Sequence, residues 1–166
     1  MTAPPLKTDI CIIGAGAGGL VVAAVAAQLG IDTILIERDK MGGDCLNYGC
    51  VPSKALLAAA HAAETARTSN RFGIEAGNLS IDGKSVFDHV QSAIDEIAPH
   101  DSVERFEEYG VNVILGEGKF SGPKEITVGE QKISARWIVV ATGSGPLVPP
   151  IPGLDATPHF TNETIF

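Results

Sequence analysis

An α/β fold built around a parallel sheet is what this sequence predicts, and three observations carry the expectation. Residues 10–13 are an apolar β-prone run, residues 20–29 are an Ala/Val-rich helical stretch behind a glycine-rich turn, and residues 33–36 are a second apolar run. Two strands joined by a helix within about 30 residues must lie parallel, because only a crossover can return the chain to the same end of the sheet. Gly30 follows the helical stretch where a C-terminal glycine cap belongs.

The remaining elements follow in order. Residues 40–53 form a segment containing glycine and cysteine. A helix is expected from Pro52 to about Thr65, then a polar, glycine-containing loop to about Gly83. Val86, Val90, Ile94 and Ile97 recur at helical spacing, Pro99 interrupts, and Val103 with Phe106 continue a second helix that stops before Gly110. This is a helical excursion over about residues 84–110. Strands are expected at 111–115, 126–128 and 131–134, the last two joined by a hairpin at Gly129-Glu130 within a small β-meander. Residues 137–141 read as a further buried strand, ending in Ala141-Thr142-Gly143-Ser144, after which Pro146, Pro149, Pro150 and Pro152 impose an extended exit. No internal repeat is visible.

Length and composition narrow the function. At 166 residues, with 45% hydrophobic and 19% charged side chains, the chain has the makings of one globular domain. A formal charge of −8 opposes binding to nucleic-acid phosphates or anionic lipid, and 5% aromatics offer few stacking platforms for single strands. Residues 10–27 carry no charge, yet Gly14, Gly16, Gly18 and Gly19 divide that run into strand and helix and argue against a membrane span. A signal peptide fits poorly, because Lys7 is offset by Asp9 and no clean cleavage site follows. Three cysteines are too few for a disulfide scaffold and suit a reducing, cytoplasmic setting.

Gly14-Ala15-Gly16-Ala17-Gly18-Gly19 satisfies G-x-G-x-x-G directly after a strand. The first glycine permits the turn, the second admits a pyrophosphate, and the third seats the helix against the strand. The helix N-terminus supplies free N–H groups and a partial charge of about +0.5, enough to attract a diphosphate locally despite the net charge. Glu37 closes the second strand 23 residues after Gly14, where a carboxylate can accept both hydroxyls of an adenosine ribose and repel a 2′-phosphate. NADP is thereby disfavoured, while FAD and NAD are not distinguished.

Cys45 and Cys50 lie in Gly42-Gly43-Asp44-Cys45-Leu46-Asn47-Tyr48-Gly49-Cys50-Val51-Pro52. The spacing can close a small ring, contribute to a zinc site, or leave two inert thiols. So short a loop stabilises little. Zinc needs two more ligands, and Cys11 falls in an expected strand while His61, His89, His100 and His159 show no complementary spacing, so no metal site is assigned. The balance favours a redox pair, helped by a helix starting just beyond it, which would favour a thiolate. Cys11 reads as core, and His61 and Glu64 as surface residues on one helix face.

The run from Gly42 to Lys54 resembles the redox-disulfide signature of the flavin-dependent pyridine nucleotide-disulfide oxidoreductases. Ser53 and Lys54 favour the dihydrolipoamide dehydrogenase and mercuric reductase branches over the glutathione reductase branch. Residues 97–106 further resemble mercuric-reductase-like members. The likeness spans essentially the whole chain, with Gly116-Glu117-Gly118-Lys119-Phe120 and Ala141-Thr142-Gly143-Ser144 both falling where that family contacts FAD. It implies a Rossmann-like FAD-binding domain over residues 1–166. Gly14, Ala15, Gly16, Gly18 and Gly19 would hold the diphosphate, Glu37 and Arg38 would flank the ribose, and Gly118 would pack near the adenine. Gly42, Gly43, Asp44 and Cys45 would line the cofactor, Lys54 would approach the flavin N5, and Ala141, Thr142, Gly143 and Ser144 would close over it. Cys50 would be the thiol beside the flavin and Cys45 the interchange thiol that meets a disulfide or metal-ion substrate. Asp44 departs from the family's usual threonine, and Gly145 stands where arginine is frequent.

The resemblance also implies an N-terminal portion only, with the NAD(P)H and dimerisation domains of a full-length homodimer absent. Such a portion is expected to be unable to turn over alone, to bind FAD poorly and to self-associate. The alternative is a non-catalytic module for FAD or an adenine nucleotide, and a third reading is a standalone thiol–disulfide exchanger or metal site. Flavin absorbance that shifts on reduction separates the first two from the third.

Overall fold

The computed structural model describes residues 4–166, so the first three residues of the expected domain lie outside the described residues. The chain divides into two compact units: residues up to Cys45 together with Ala98–Gly145, and Leu46–Ile97 together with Pro146–Phe166.

The first unit is a six-stranded sheet in the order β3-β2-β1-β6-β5-β4. Its strands are β1 (Leu6–Ile13), β2 (Thr33–Glu37), β3 (Asn112–Leu115), β4 (Gly118–Gly122), β5 (Glu125–Val128) and β6 (Gln131–Val140). β1 pairs in parallel with both β2 and β6, and β2 with β3, while β4, β5 and β6 form the antiparallel meander. The sheet is therefore mixed, with the expected parallel part at its centre. Helix α1 (Ala17–Gln28) makes the crossover from β1 to β2, capped by Leu29, with Gly30 at φ 69° just beyond it, as the sequence predicts.

Alternation along β1 sends side chains to two cores. Cys11 and Ile13 join Ile34, Ile36, Ile126, Val128, Ile133 and Ala135 on one face. Ile12 meets Ala15, Leu20, Ala23, Leu35, Phe106 and Val111 on the other, where α1 and the short helix α5 (Val103–Glu108) pack. All five residues of β2 are buried, the pattern of a strand covered on both faces.

Two strand expectations need correction. Residues 131–134 and 137–141 are not separate strands but one strand, β6, running without a break through Ala135-Arg136. Its second half is not buried either: β5 pairs only as far as Ser134, leaving Trp137 64% exposed beside an open edge. β4 was not anticipated from the sequence.

The second unit is helical. Helix α3 (Cys50–Thr68) begins two residues before Pro52 and runs three beyond Thr65, then tightens into a 3₁₀ turn at Ser69–Phe72. Pro52 sits in the first turn, where a missing N–H costs nothing. Helix α4 (Gly83–Ile97) packs against α3 and starts from Asp82, whose carboxylate accepts the Lys84 and Ser85 amides. A short helix α6 (Asn162–Ile165) lies in the proline-rich exit segment's unit. Helix α2 (Gly43–Asn47) carries the chain from the first unit toward the second. Among the described residues no helix is long and apolar enough to cross a membrane.

Candidate functional site

The carboxyl ends of β1, β2 and β6 meet the start of α1, at the place where the strand order reverses on either side of β1. Ligands of open α/β sheets bind at such a switch point. The Gly14 N–H donates to the Ile36 carbonyl at 2.8 Å, and the Ala141 N–H donates to the Ile13 carbonyl at 2.8 Å, so both neighbouring strands grip the end of β1.

The glycines of the turn differ in why they are there. Gly14 has φ 105°, and a Cβ on it would drive into the Ala141 carbonyl. A Cβ on Gly19 would strike the Gly14 carbonyl, so helix and strand approach closely only because Gly19 lacks one. Gly16 is unlike both. Its φ is −77°, open to any residue, and a Cβ there would meet only the Gly43 Cα at 3.9 Å. Gly18 faces open space.

On the other flank, the Gly42 N–H donates to the Ala15 carbonyl at 3.0 Å, and Gly16 and Gly42 form a parallel bridge. A Cβ on Gly43 would lie 2.6 Å from the Gly16 Cα. The turn is therefore held between residues 42–43 and residues 141–142. No side chain caps α1, whose N-cap is Gly16. The first-turn amides of the helix are thus presented without a competing capping oxygen.

Glu37 ends β2 buried, its Oε2 accepting the Ala15 N–H at 2.6 Å and its Oε1 the Asp39 N–H at 2.8 Å. Sequence reasoning assigned this carboxylate to a ribose and missed both backbone partners. Gly116 donates its N–H to the Glu37 carbonyl at 2.7 Å, tying the end of β3 to that of β2. Gly118 opens β4 over Ile13 and Ile36, whose Cγ2 atoms would each lie 3.4 Å from a Cβ placed there. Glu117 is held below the usual carboxylate range, chiefly by the Lys119 ammonium hydrogen-bonded to it at 2.9 Å, with a lesser contribution from Arg38.

In the segment that resembles the redox signature, Asp44 is exposed and Cys45 half-buried within α2, while Cys50 is exposed at the first position of α3 and Lys54 is exposed one turn later. Ser53 donates its hydroxyl to the Cys50 carbonyl at 3.3 Å. Cys11 is core as expected, and burial pushes its thiol up to about 11. His61 and Glu64 are exposed, Glu64 pairing with Arg67 at 3.1 Å. Thr142, Gly143 and Ser144 are exposed beyond the end of β6. Among the described residues no group of three His, Cys, Asp or Glu side chains is placed to hold a metal ion.

A mixed sheet whose parallel centre carries a glycine turn at its switch point defines a Rossmann-like α/β fold. Residues 8–165 match the family model described as pyridine nucleotide-disulphide oxidoreductase, and the chain belongs to that family. It is 37% identical to the dihydrolipoyl dehydrogenase of Bacillus subtilis (strain 168), over 89% of this chain and 33% of that protein. With the mercuric reductase of Streptomyces lividans it shares 36% identity over 94% of this chain and 34% of that protein. Among solved structures, the Cu(II) complex of the HOCl-induced flavoprotein disulfide reductase RclA from Escherichia coli matches with a TM-score of 0.70 and 26% identity. That match covers 90% of this chain and 31% of RclA. The chain thus spans about a third of the length of these relatives.

Proposed function

We propose that this chain is the FAD-binding part of an NAD(P)H-dependent flavin disulfide oxidoreductase, with Cys45 and Cys50 as its redox pair. The observation that carries the reading is Gly16. Neither its backbone angles nor its protein neighbours require a glycine, so the space in front of it fits something outside the chain, and the uncapped start of α1 fits an anion.

In this reading Gly14, Ala15, Gly16, Gly18 and Gly19 hold the cofactor's diphosphate on backbone amides. Glu37 accepts the adenosine ribose beside Arg38, and Gly118 leaves room for the adenine. Gly42, Gly43 and Asp44 flank the diphosphate, and Ala141, Thr142, Gly143 and Ser144 cover the far side. Lys54 adds a positive charge toward the flavin end. When bound, FAD supplies a carrier for the electron pair that passes between NAD(P)H and the protein disulfide.

The chain's own chemistry is thiol–disulfide exchange. Reducing the Cys45–Cys50 bond takes two electrons and two protons and yields two thiols. The Cys45 thiolate then attacks a substrate disulfide, releasing one substrate thiol and forming a mixed disulfide. Attack by Cys50 on the Cys45 sulfur releases the second substrate thiol and closes the Cys45–Cys50 bond again. A thiophilic metal ion is the other candidate acceptor, supported by the similarity to mercuric reductase. The family resemblance supports a homodimer, and the low cysteine count supports a cytoplasmic location.

The test is intact-mass spectrometry with and without reductant, followed by alkylation. The oxidised protein should be about 2 Da lighter than the reduced one, and reduction should expose Cys45 and Cys50 together to the alkylating agent. Alkylation of both sites in protein treated with oxidant alone would overturn the redox pair. A FAD titration read by flavin absorbance tests the cofactor independently.

A further inference from the structure

Glu37 is 8% exposed, and both of its carboxylate oxygens are engaged by backbone amides, Ala15 on Oε2 at 2.6 Å and Asp39 on Oε1 at 2.8 Å. A group present only to receive ribose hydroxyls would have no reason to hold these amides. The Ala15 amide lies in the turn, between the last β1 pairing at Ile13 and the first residue of α1 at Ala17. Neither the strand ladder nor the helix ladder offers it an acceptor, and a buried N–H left without one is costly. The same peptide neighbourhood fixes the turn's other side, since the Ala15 carbonyl accepts the Gly42 N–H at 3.0 Å.

We propose that Glu37 is a positioning residue for the glycine turn, fixing the Ala15 amide and through it Gly16 and the start of α1 in the ligand-receiving shape before any nucleotide arrives. The ligand side of this proposal rests on the FAD-binding reading above. Each carboxylate oxygen can accept two hydrogen bonds. With one site on each taken by an amide, one on each is left for the two ribose hydroxyls, so a single side chain ties the turn to the sugar. Glutamine would keep only one of the two amide contacts, because its NH₂ group would face an N–H donor at the other.

The experiment compares the cofactor-free chain with Glu37→Ala, which removes both acceptors, in two measurements. The first is amide hydrogen exchange resolved by residue. Protection at Ala15 should fall at least tenfold in the variant while Ile12 and Leu35 keep theirs; unchanged protection at Ala15 in a folded variant would overturn the proposal. Should Ile12 and Leu35 also lose protection, the wild-type chain decides. There the Ala15 amide should exchange at least tenfold more slowly than that of Ala17 at the open start of the helix, and equal rates would refute the assignment. The second measurement is the affinity of ADP and of 2′,3′-dideoxy-ADP. A positioning role predicts that Glu37→Ala weakens both at least fivefold, whereas a loss confined to ADP leaves only the ribose contact and overturns the positioning role. If wild type binds neither nucleotide, the FAD-binding reading fails, and amide exchange still decides what Glu37 does to the turn.

Discussion

The glycine turn and the cysteine segment are neighbours in sequence but are built on opposite plans. Residues 14–19 are fixed by backbone contacts to β2, to residues 42–43 and to residues 141–142, and by the Glu37 carboxylate on the Ala15 amide, so their shape belongs to the fold itself. At the start of α3, Cys50 and Lys54 are exposed, and the side chains that would do chemistry are presented on a helix end. Tolerance to mutation should differ between them accordingly. A backbone site fails by strain, whereas a presented side chain fails by loss of its own reactivity.

The largest effect is expected for Gly14→Ala. The φ of 105° and the Ala141 carbonyl leave no room for a methyl group, so a loss of about 3 kcal/mol or more is expected in urea unfolding monitored by Trp137 fluorescence. A variant as stable as wild type would show that the turn is softer than its contacts indicate. Gly16→Ala separates ligand from fold within the same turn. Stability should change by less than about 1 kcal/mol while FAD affinity falls at least tenfold, a split measurable by pairing unfolding with a flavin titration.

Thiol reactivity sharpens the other side. In reduced native protein near pH 8, iodoacetamide should modify Cys50 at least ~100-fold faster than Cys11, because Cys11 is inaccessible and its thiol is pushed up to about 11 by burial. The unfolded chain would ionise this thiol first, so the contribution from keeping Cys11 neutral is complete below its ordinary value of 9.0 and is lost as pH rises through about 11.

The smallest effect is expected at the start of α4. Asp82 lies below the usual carboxylate range, first because the Ser85 hydroxyl donates to it at 2.5 Å and then because the Lys84 amide does. Its contribution is therefore present above the unfolded carboxylate value of roughly 4 and disappears as pH falls through the lower folded value. Amide protection at Ser85 should show this acid step in wild type and lack it in Asp82→Ala.

The parts of this molecule legible from sequence are those where local pattern and tertiary role agree. The β1-α1-β2 unit, Gly30 as a cap, the α4 periodicity and the core position of Cys11 all follow from runs of a few residues. β4 escaped because Gly-Lys-Phe-Ser-Gly has neither alternation nor a buried face, and it is a strand by virtue of pairing with β5. β6 was divided because Ala135-Arg136 looks like a break, although its continuity comes from β1 pairing along its length. In the site, the glycine pattern announced itself, but the Glu37–Ala15 bond joins residues 22 apart and depends on strand register. A carboxylate at the end of one strand facing a turn at the end of its parallel neighbour is the signal that could have found it.

The open side of β6 has a practical bearing on how this protein behaves in a tube. Past Ala135 the ribbon offers main-chain donors and acceptors flanked by Trp137 and Val140, the ingredients of strand-by-strand stacking between separate molecules. Arg136 places a guanidinium midway along that border, and like charges brought side by side repel. Low ionic strength and modest concentration are accordingly the handling conditions that keep the chain dispersed, since added salt would mute that electrostatic guard.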